Sequence, residues 1–131
     1  VVWGGMLLWS GPADLDAQAK RSWSAPVETK KLKNPVTSTS TAIQQGGKIF
    51  RQYCADCHGV KGDGKGSMAD SLKRKPADLT RSQTRALADG EVFWRISKGD
   101  DVMPSFENTF PLSEVERWQL VHFVKSLGSK K

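Results

Sequence analysis

The sequence has few of the residues that cross-link small proteins. It contains two cysteines and two histidines among 131 residues. Two cysteines exclude a scaffold of several disulfides, and a zinc site built on the cysteine pair would need His122, since there is no third cysteine. The apolar run at residues 1–9 is far shorter than the roughly 20 residues that cross a bilayer. With 37% hydrophobic residues, the chain can bury one modest core.

The usual residues of hydrolases and nucleotide-binding proteins are also missing. Residues 59–65 fit G-x-x-x-x-G-K, but Gly66 stands where Ser or Thr would hold magnesium, and no strand is predicted before it. Glycines at this spacing are better explained by a tight turn of the chain. The acidic residues in this part of the chain are scattered and form no paired carboxylate site: Asp56, Asp63, Asp70 and Asp78.

One short motif indicates a chemistry. Residues 54–58 read Cys-Ala-Asp-Cys-His, and C-x-x-C-H is the attachment signature for a c-type haem. Cys54 and Cys57 lie on one helical turn and can bond to two vinyl groups of the same porphyrin, and His58 then meets the iron. The alternatives are a redox-active C-x-x-C pair, half of a zinc site or a disulfide. Zinc lacks ligands and a disulfide leaves His58 without a role, so haem attachment is favoured.

A haem in a small domain is six-coordinate if a second side chain reaches the iron, and the three methionines compete for that place. Met6 lies in the apolar N-terminal run, and Met68 follows His58 too closely for the chain to pass around the porphyrin edge. Met103 is well separated from His58, and Pro104 restricts it to extended geometry. A lone Met is more often part of a core, but this setting favours Met103 as the sixth ligand.

Residues 43–127 resemble a class I cytochrome c domain. The resemblance rests on the order and spacing of several segments: Gly47-Lys48-Ile49-Phe50, Cys54 to Gly59, Pro76-Ala77-Asp78-Leu79, Ile96 to Gly99, Met103-Pro104 and Leu120-Val121-His122-Phe123-Val124. It implies a helical shell around one covalent haem c, with His and Met on the iron and single-electron transfer as the function. By resemblance, the Pro76 carbonyl accepts the hydrogen bond from the His58 ring. The predicted cofactor-binding set also includes Leu79 and Trp94.

The helical signals predict an all-α domain over residues 41–131. Thr41 with Gln44 predicts the start of a first helix that runs to the haem motif, and Ser113 with Glu116 predicts the start of the last helix. Gly47 predicts a close crossing between these two helices. A third helix is expected over residues 90–98. The last helix carries one apolar stripe: Leu120, Phe123, Val124 and Leu127. His122 lies opposite that stripe and is expected at the surface.

Residues 1–40 predict an arm without a core of its own. Pro12, Pro26 and Pro35 prevent any long helix there. Trp3 and Trp9 suit the membrane interface, so the start of the arm is interpreted either as the end of a membrane anchor, which we favour, or as the mature end left by a signal peptide. Trp118 should be largely buried by this arm or by a partner subunit, because a large indole opposite the inner stripe would otherwise face water.

These observations predict an electron carrier, not an enzyme. It would act in a respiratory or photosynthetic chain, free or as a subunit of a membrane complex. The resemblance implies a place on the periplasmic side of the cytoplasmic membrane or its equivalent. The alternative is a haem enzyme or gas sensor with a labile sixth ligand. The net charge of +6 suggests acidic redox partners, with no sign of a nucleic-acid module. The basic groups are Lys30-Lys31-Lys33, Lys61 with Lys65, and Lys73-Arg74-Lys75.

Overall fold

The computed structural model describes residues 4–5 and 24–128. This part of the chain is helical, without a strand, and the all-α prediction is confirmed. The α-helices are α1 (Ser40–Tyr53), α2 (Ala55–His58), α3 (Ser82–Ala86), α4 (Asp89–Lys98) and α5 (Glu114–Leu127), with 3₁₀ turns at Val27–Lys31 and Ala69–Ser71. No helix in the described residues is long and apolar enough to span a bilayer. Met6, Trp3, Trp9 and Trp23 lie outside the described residues.

The two long helices, α1 and α5, each begin at a side chain that caps the helix N-terminus. The sequence predicts the correct residue for α5 but the wrong one for α1. Ser113 begins α5: its hydroxyl accepts from the Glu116 N–H at 3.1 Å, and the Glu116 carboxylate accepts from the Ser113 N–H at 2.8 Å, as predicted. The cap of α1 is Thr39, whose hydroxyl accepts from the Ala42 N–H at 3.1 Å. The prediction of Thr41 is wrong because residues 37–41 are all Ser or Thr, and each of them can cap a helix.

Helices α1 and α5 cross closely, and this crossing forms the centre of the core. A Cβ added at Gly46 would collide with the Gln119 carbonyl, and one at Gly47 would lie 3.1 Å from the Phe123 ring. The tightest approach is therefore at Gly46, one residue before the predicted Gly47. Phe50 on α1 is fully buried, and its ring centroid lies 5.1 Å from that of Phe123. The predicted crossing is confirmed.

The described part of the arm packs on α4 and α5. The Asn34 amide donates to the Trp118 carbonyl at 3.0 Å, and His122 Nε2 donates to the Val36 carbonyl at 2.6 Å. Trp118 is only 4% exposed and stacks on Phe93 with 3.8 Å between ring centroids. Trp118 is buried as predicted, but the ring that stacks on it is Phe93 of α4, and the arm contacts its backbone carbonyl through Asn34. The surface assignment of His122 is wrong, because the arm covers that face of α5.

Candidate cofactor site

The C-x-x-C-H motif lies at the junction of α1 and α2. Cys54 ends α1, where its N–H donates to the Phe50 carbonyl at 2.8 Å, and Cys57 and His58 lie on the single turn of α2. The two cysteines are not joined by a disulfide, and both line one cleft together with His58. The geometry therefore brings the two thiols and the imidazole to one wall of a common space.

The cleft is lined by residues from both the motif and two loops that lie beyond it in sequence. They are Tyr53, Cys54, Cys57, His58, Leu72, Arg74, Lys75, Pro76, Ala77, Val102, Met103, Pro104 and Phe106. Apolar side chains and ring faces dominate this lining. We refer to His58 together with the segment of residues 72–77 as the histidine wall, and to Met103 together with the turn that carries it, residues 99–104, as the methionine wall.

The state of the two thiols distinguishes between the possible uses of the motif. Burial, with the neighbouring Cys57, raises the pKa of Cys54 to about 12, and burial, with Asp56, also raises the pKa of Cys57. A redox-active C-x-x-C pair needs a lowered thiol pKa. In residues 4–5 and 24–128, no group of three or more His, Cys, Asp or Glu side chains could hold a metal ion. Neither the redox-pair nor the zinc alternative fits this site.

His58 is oriented by a backbone carbonyl. Its Nδ1 lies 3.1 Å from the Ala77 oxygen, so the N–H at Nδ1 donates and Nε2 keeps a free lone pair. Burial lowers the pKa of His58, although the bond to Ala77 works in the opposite direction, and the ring is kept in the neutral form that binds metals. The prediction that Pro76 supplies this acceptor is wrong by one residue. The Pro76 carbonyl instead lies against Gly64, where a Cβ would approach it to 2.8 Å.

The loop after His58 turns on glycines, as predicted. Gly59, Gly62 and Gly64 have φ of +82°, +76° and +80°. At Gly64 the positive φ lets its N–H donate to the His58 carbonyl at 2.7 Å, while the chain passes next to the segment that holds Ala77. The loop therefore connects the motif to its own orienting carbonyl.

Met103 stands on the methionine wall in a tightly held turn. The Asp100 N–H donates to the Met103 carbonyl at 2.8 Å, and Asp100 Oδ1 accepts from the Met103 N–H at 2.7 Å. Gly99 before the turn has φ +61°, and a Cβ there would collide with the Met103 carbonyl. By contrast, Met68 is 48% exposed and does not line the cleft. Met103 is thus the methionine that, within the described residues, lines the same cleft as His58.

Two predicted cofactor-binding residues do not line this cleft. Leu79 packs against the helical core, with its N–H donating to the Gly62 carbonyl at 2.7 Å, and Trp94 is half-buried on α4. Sequence reasoning missed several side chains that do line it: Tyr53, Leu72, Val102 and Phe106. The ring centroids of Tyr53 and Phe106 are 6.1 Å apart, and the rings meet edge to face. Tyr53 is adjacent to Cys54 in the sequence, and Phe106 is three residues after Met103. These positions could have indicated that both side chains line the cleft.

The basic group at residues 73–75 faces two aspartates of the methionine wall. Lys73 Nζ lies 2.7 Å from Asp101 Oδ2, and Arg74 pairs with Asp100 and also with Asp101, at 3.4 Å. Within the described residues, Lys75 is the one cation of this group without an ion pair. The positive charge that the sequence suggests here is therefore largely balanced inside the molecule.

Comparison with known proteins identifies the protein family that this chain matches. A family model described as cytochrome C oxidase, cbb3-type, subunit III matches residues 41–124. The quinohemoprotein alcohol dehydrogenase ADH IIB of Pseudomonas putida is 28% identical over 107 residues, which are 82% of this chain and 14% of that protein. A chain of the reducing HAO-like protein complex Kustc0457/Kustc0458 of Kuenenia stuttgartiensis superimposes with a TM-score of 0.62 at 32% identity, covering 73% of this chain and 49% of that one.

The cleft fits the group that this family implies. Two cysteines three residues apart, an imidazole beside them and a thioether in the same cleft are the residue types that hold a covalently bound haem. The match covers the motif, both walls and the crossing helices. The chain belongs to the family of cytochrome c domains described as cbb3-type cytochrome c oxidase subunit III, and its cofactor is a haem c.

Proposed function

We propose that this chain passes single electrons between redox partners and performs no substrate chemistry of its own. Cys54 and Cys57 hold the haem by thioether bonds, and His58 and Met103 are its axial ligands. The observation that carries the proposal is that Cys54, Cys57, His58 and Met103 all line one apolar cleft. The haem supplies the one-electron chemistry, while the protein fixes the ligands and limits access of water.

The hydrogen bonds around the two ligands favour a carrier over a gas sensor. Ala77 fixes the ring of His58, and the Asp100 turn holds the backbone of Met103 from both sides. A sensor or haem enzyme needs a sixth ligand that leaves readily. A turn closed by several hydrogen bonds favours a bound thioether, which stabilises ferrous iron and raises the reduction potential.

Both relatives are larger than this chain, and this supports a role inside a redox assembly. The chain spans 14% of the length of the alcohol dehydrogenase and 49% of the chain from the HAO-like complex. We propose that the domain carries electrons for a membrane-bound respiratory or photosynthetic complex, on the periplasmic side or its equivalent, where haem c is attached. The described arm would lie between this domain and residues nearer the N-terminus.

We further propose that an acidic redox partner docks at the cleft mouth. Lys75 lines the cleft, is exposed and has no ion pair within the described residues, so its charge is available to a partner. Tyr53, 38% exposed on the same cleft, offers an apolar contact close to the haem edge. Charge of this kind acts mainly on the rate of association.

Carbon monoxide binding by the reduced holoprotein tests the proposed function. A carrier with Met103 on the iron should show the Met-to-iron charge-transfer band when oxidised, bind carbon monoxide slowly when reduced, and cycle reversibly with one electron per haem. Rapid binding of carbon monoxide together with absence of the band would contradict the proposal and favour the sensor. Recovery of the protein with integral-membrane subunits after mild solubilisation would support the complex, whereas recovery of the domain alone would support a free shuttle.

A further inference from the structure

Both walls of the cleft include a loop, and each loop is joined to a preceding helix or 3₁₀ turn at its first residue, through Gly99 and Leu72. The histidine wall includes residues 72–77, which orient His58 through Ala77. The methionine wall includes residues 99–104. Both segments lie outside the helices. A contact that joins these two loops therefore restrains the turn that carries Met103 relative to the segment that orients His58.

Asp100 is the centre of the methionine wall. Its side chain is only 9% exposed, and Oδ1 accepts from the N–H groups of Val102 at 2.9 Å and of Met103 at 2.7 Å. The other oxygen, Oδ2, accepts from Arg74 Nη2 on the histidine wall. A carboxylate with this little exposure is costly unless its charge is paired. Arg74, from the other loop, supplies that pairing.

We propose that Arg74 is a positioning residue for the sixth ligand, acting through Asp100. Arg74 neutralises Asp100, and the Asp100 carboxylate holds the turn of residues 99–104 closed around the Met103 backbone. The same contact joins this turn to residues 72–77, the loop that orients His58. The inference rests on the proposed function because it takes Met103 as a ligand. It also separates Arg74 from the docking charge at Lys75, since the Arg74 guanidinium already has its partners inside the chain.

The neighbouring ion pair provides a matched control. Lys73 and Asp101 join the same two loops at 2.7 Å, but their side chains are 66% and 61% exposed, and neither Lys73 nor the Asp101 carboxylate contacts the Met103 backbone. Exposed pairs of this kind contribute little to stability. Removing Lys73 therefore changes the local charge by the same amount as removing Arg74 but leaves the Asp100 turn paired.

Imidazole competition measures how firmly Met103 is held. Oxidised holoprotein is titrated with imidazole, which displaces a weakly bound thioether, and the charge-transfer band and midpoint potential are recorded for wild type, Arg74→Gln and Lys73→Gln. Arg74→Gln should bind imidazole about fivefold more tightly than wild type, the size expected for one half-exposed charged contact, with a weakened band. Lys73→Gln should match wild type.

A second variant tests the route through Asp100. Asp100→Asn keeps an oxygen for the Val102 and Met103 N–H groups but removes the charge that Arg74 neutralises. In that background Arg74→Gln should have little further effect, because two residues that act as a unit are not additive. Equal imidazole affinities for Arg74→Gln and Lys73→Gln, or a full Arg74 effect in the Asp100→Asn background, would overturn the inference. A wild type without the charge-transfer band would instead overturn the proposed function.

Discussion

The histidine and methionine walls of the cleft are built in different ways. Cys54, Cys57 and His58 are placed by five consecutive residues on adjoining helical turns. Met103 is placed by a non-helical turn whose shape depends on Gly99 and Asp100 and on Arg74 from another part of the chain. The attachment motif is therefore placed by neighbours in the chain, whereas the turn that carries Met103 also depends on a contact from another loop.

This difference determines what each wall can tolerate. A change in the motif removes a covalent attachment or a ligand directly. A change near Met103 alters how firmly the turn presents its thioether, and the effect should be graded. Tuning of the reduction potential and of ligand exchange should therefore come mainly from the methionine wall.

Replacing Met103 should produce the largest effect. Met103→His should keep a low-spin haem but lower the reduction potential by on the order of a hundred millivolts or more, because imidazole favours ferrous iron less than a thioether does. Potentiometry of the purified holoprotein measures the change. Met68→His is the matched control, since Met68 is exposed and outside the cleft, and it should leave the potential unchanged. Equal reduction potentials for Met103→His and wild type would show that Met103 is not an iron ligand.

The crossing of α1 and α5 forms the centre of the core, so its disruption should destabilise the whole domain. Gly46→Ala would force a methyl group into the Gln119 carbonyl and should destabilise the holoprotein by about 1–3 kcal/mol. Gly47→Ala meets the Phe123 ring at 3.1 Å, which a small shift of the ring relieves, and gains helix propensity of about 1 kcal/mol. Thermal unfolding followed at the haem band should show a clearly lower Tm for Gly46→Ala only. The same Tm for both variants would show that the crossing is looser than described.

Removing the arm should leave both walls intact while exposing the far side of α5. Deletion of residues 1–38 keeps Thr39, the cap of α1, but removes Asn34 and Val36 from Trp118 and His122. Quenching of tryptophan fluorescence by a neutral quencher should rise, with the visible spectrum unchanged. To correct for the loss of Trp3, Trp9 and Trp23, Trp118→Phe is compared in both lengths of chain. Equal quenching of Trp118 with and without the arm would show that the arm does not cover it.

The charge at the cleft mouth should have the smallest effect and should act on rates alone. Lys75→Glu is expected to slow association with an acidic redox partner severalfold at low salt and to weaken the dependence of that rate on ionic strength. Lys30→Glu makes the same change in charge at an exposed residue that does not line the cleft, and serves as control. Stopped-flow traces at several salt concentrations compare the two. If Lys75→Glu and Lys30→Glu associate with the partner at identical rates at every salt concentration, Lys75 does not guide docking and its charge contributes only to solubility.

The sequence correctly predicts the structural features that depend on residues close together in the chain. The motif, the Ser113 cap and the crossing helices each depend on residues within a turn or on an apolar period, and these predictions hold. The Thr39 cap was misassigned because several adjacent residues can cap equally well.

Features that depend on distant segments could not be predicted in detail. Whether Pro76 or Ala77 presents its carbonyl to His58 is decided by the path of the chain around Gly64. His122 appears exposed on a helical wheel, but Val36 of the arm lies over it. The pairing of Arg74 with Asp100 joins loops 26 residues apart, and nothing local to either residue indicates it.

The most direct test of the central claim is the proton NMR spectrum of the reduced holoprotein. A thioether bound to iron lies over the porphyrin face, and the ring current shifts its methyl resonance far upfield of all other protein signals. We predict one such three-proton resonance in wild type and in Met68→Leu, and its loss in Met103→Leu. Absence of this resonance in wild type, or its persistence in Met103→Leu, would contradict the assignment of His58 and Met103 as the two axial ligands of the haem.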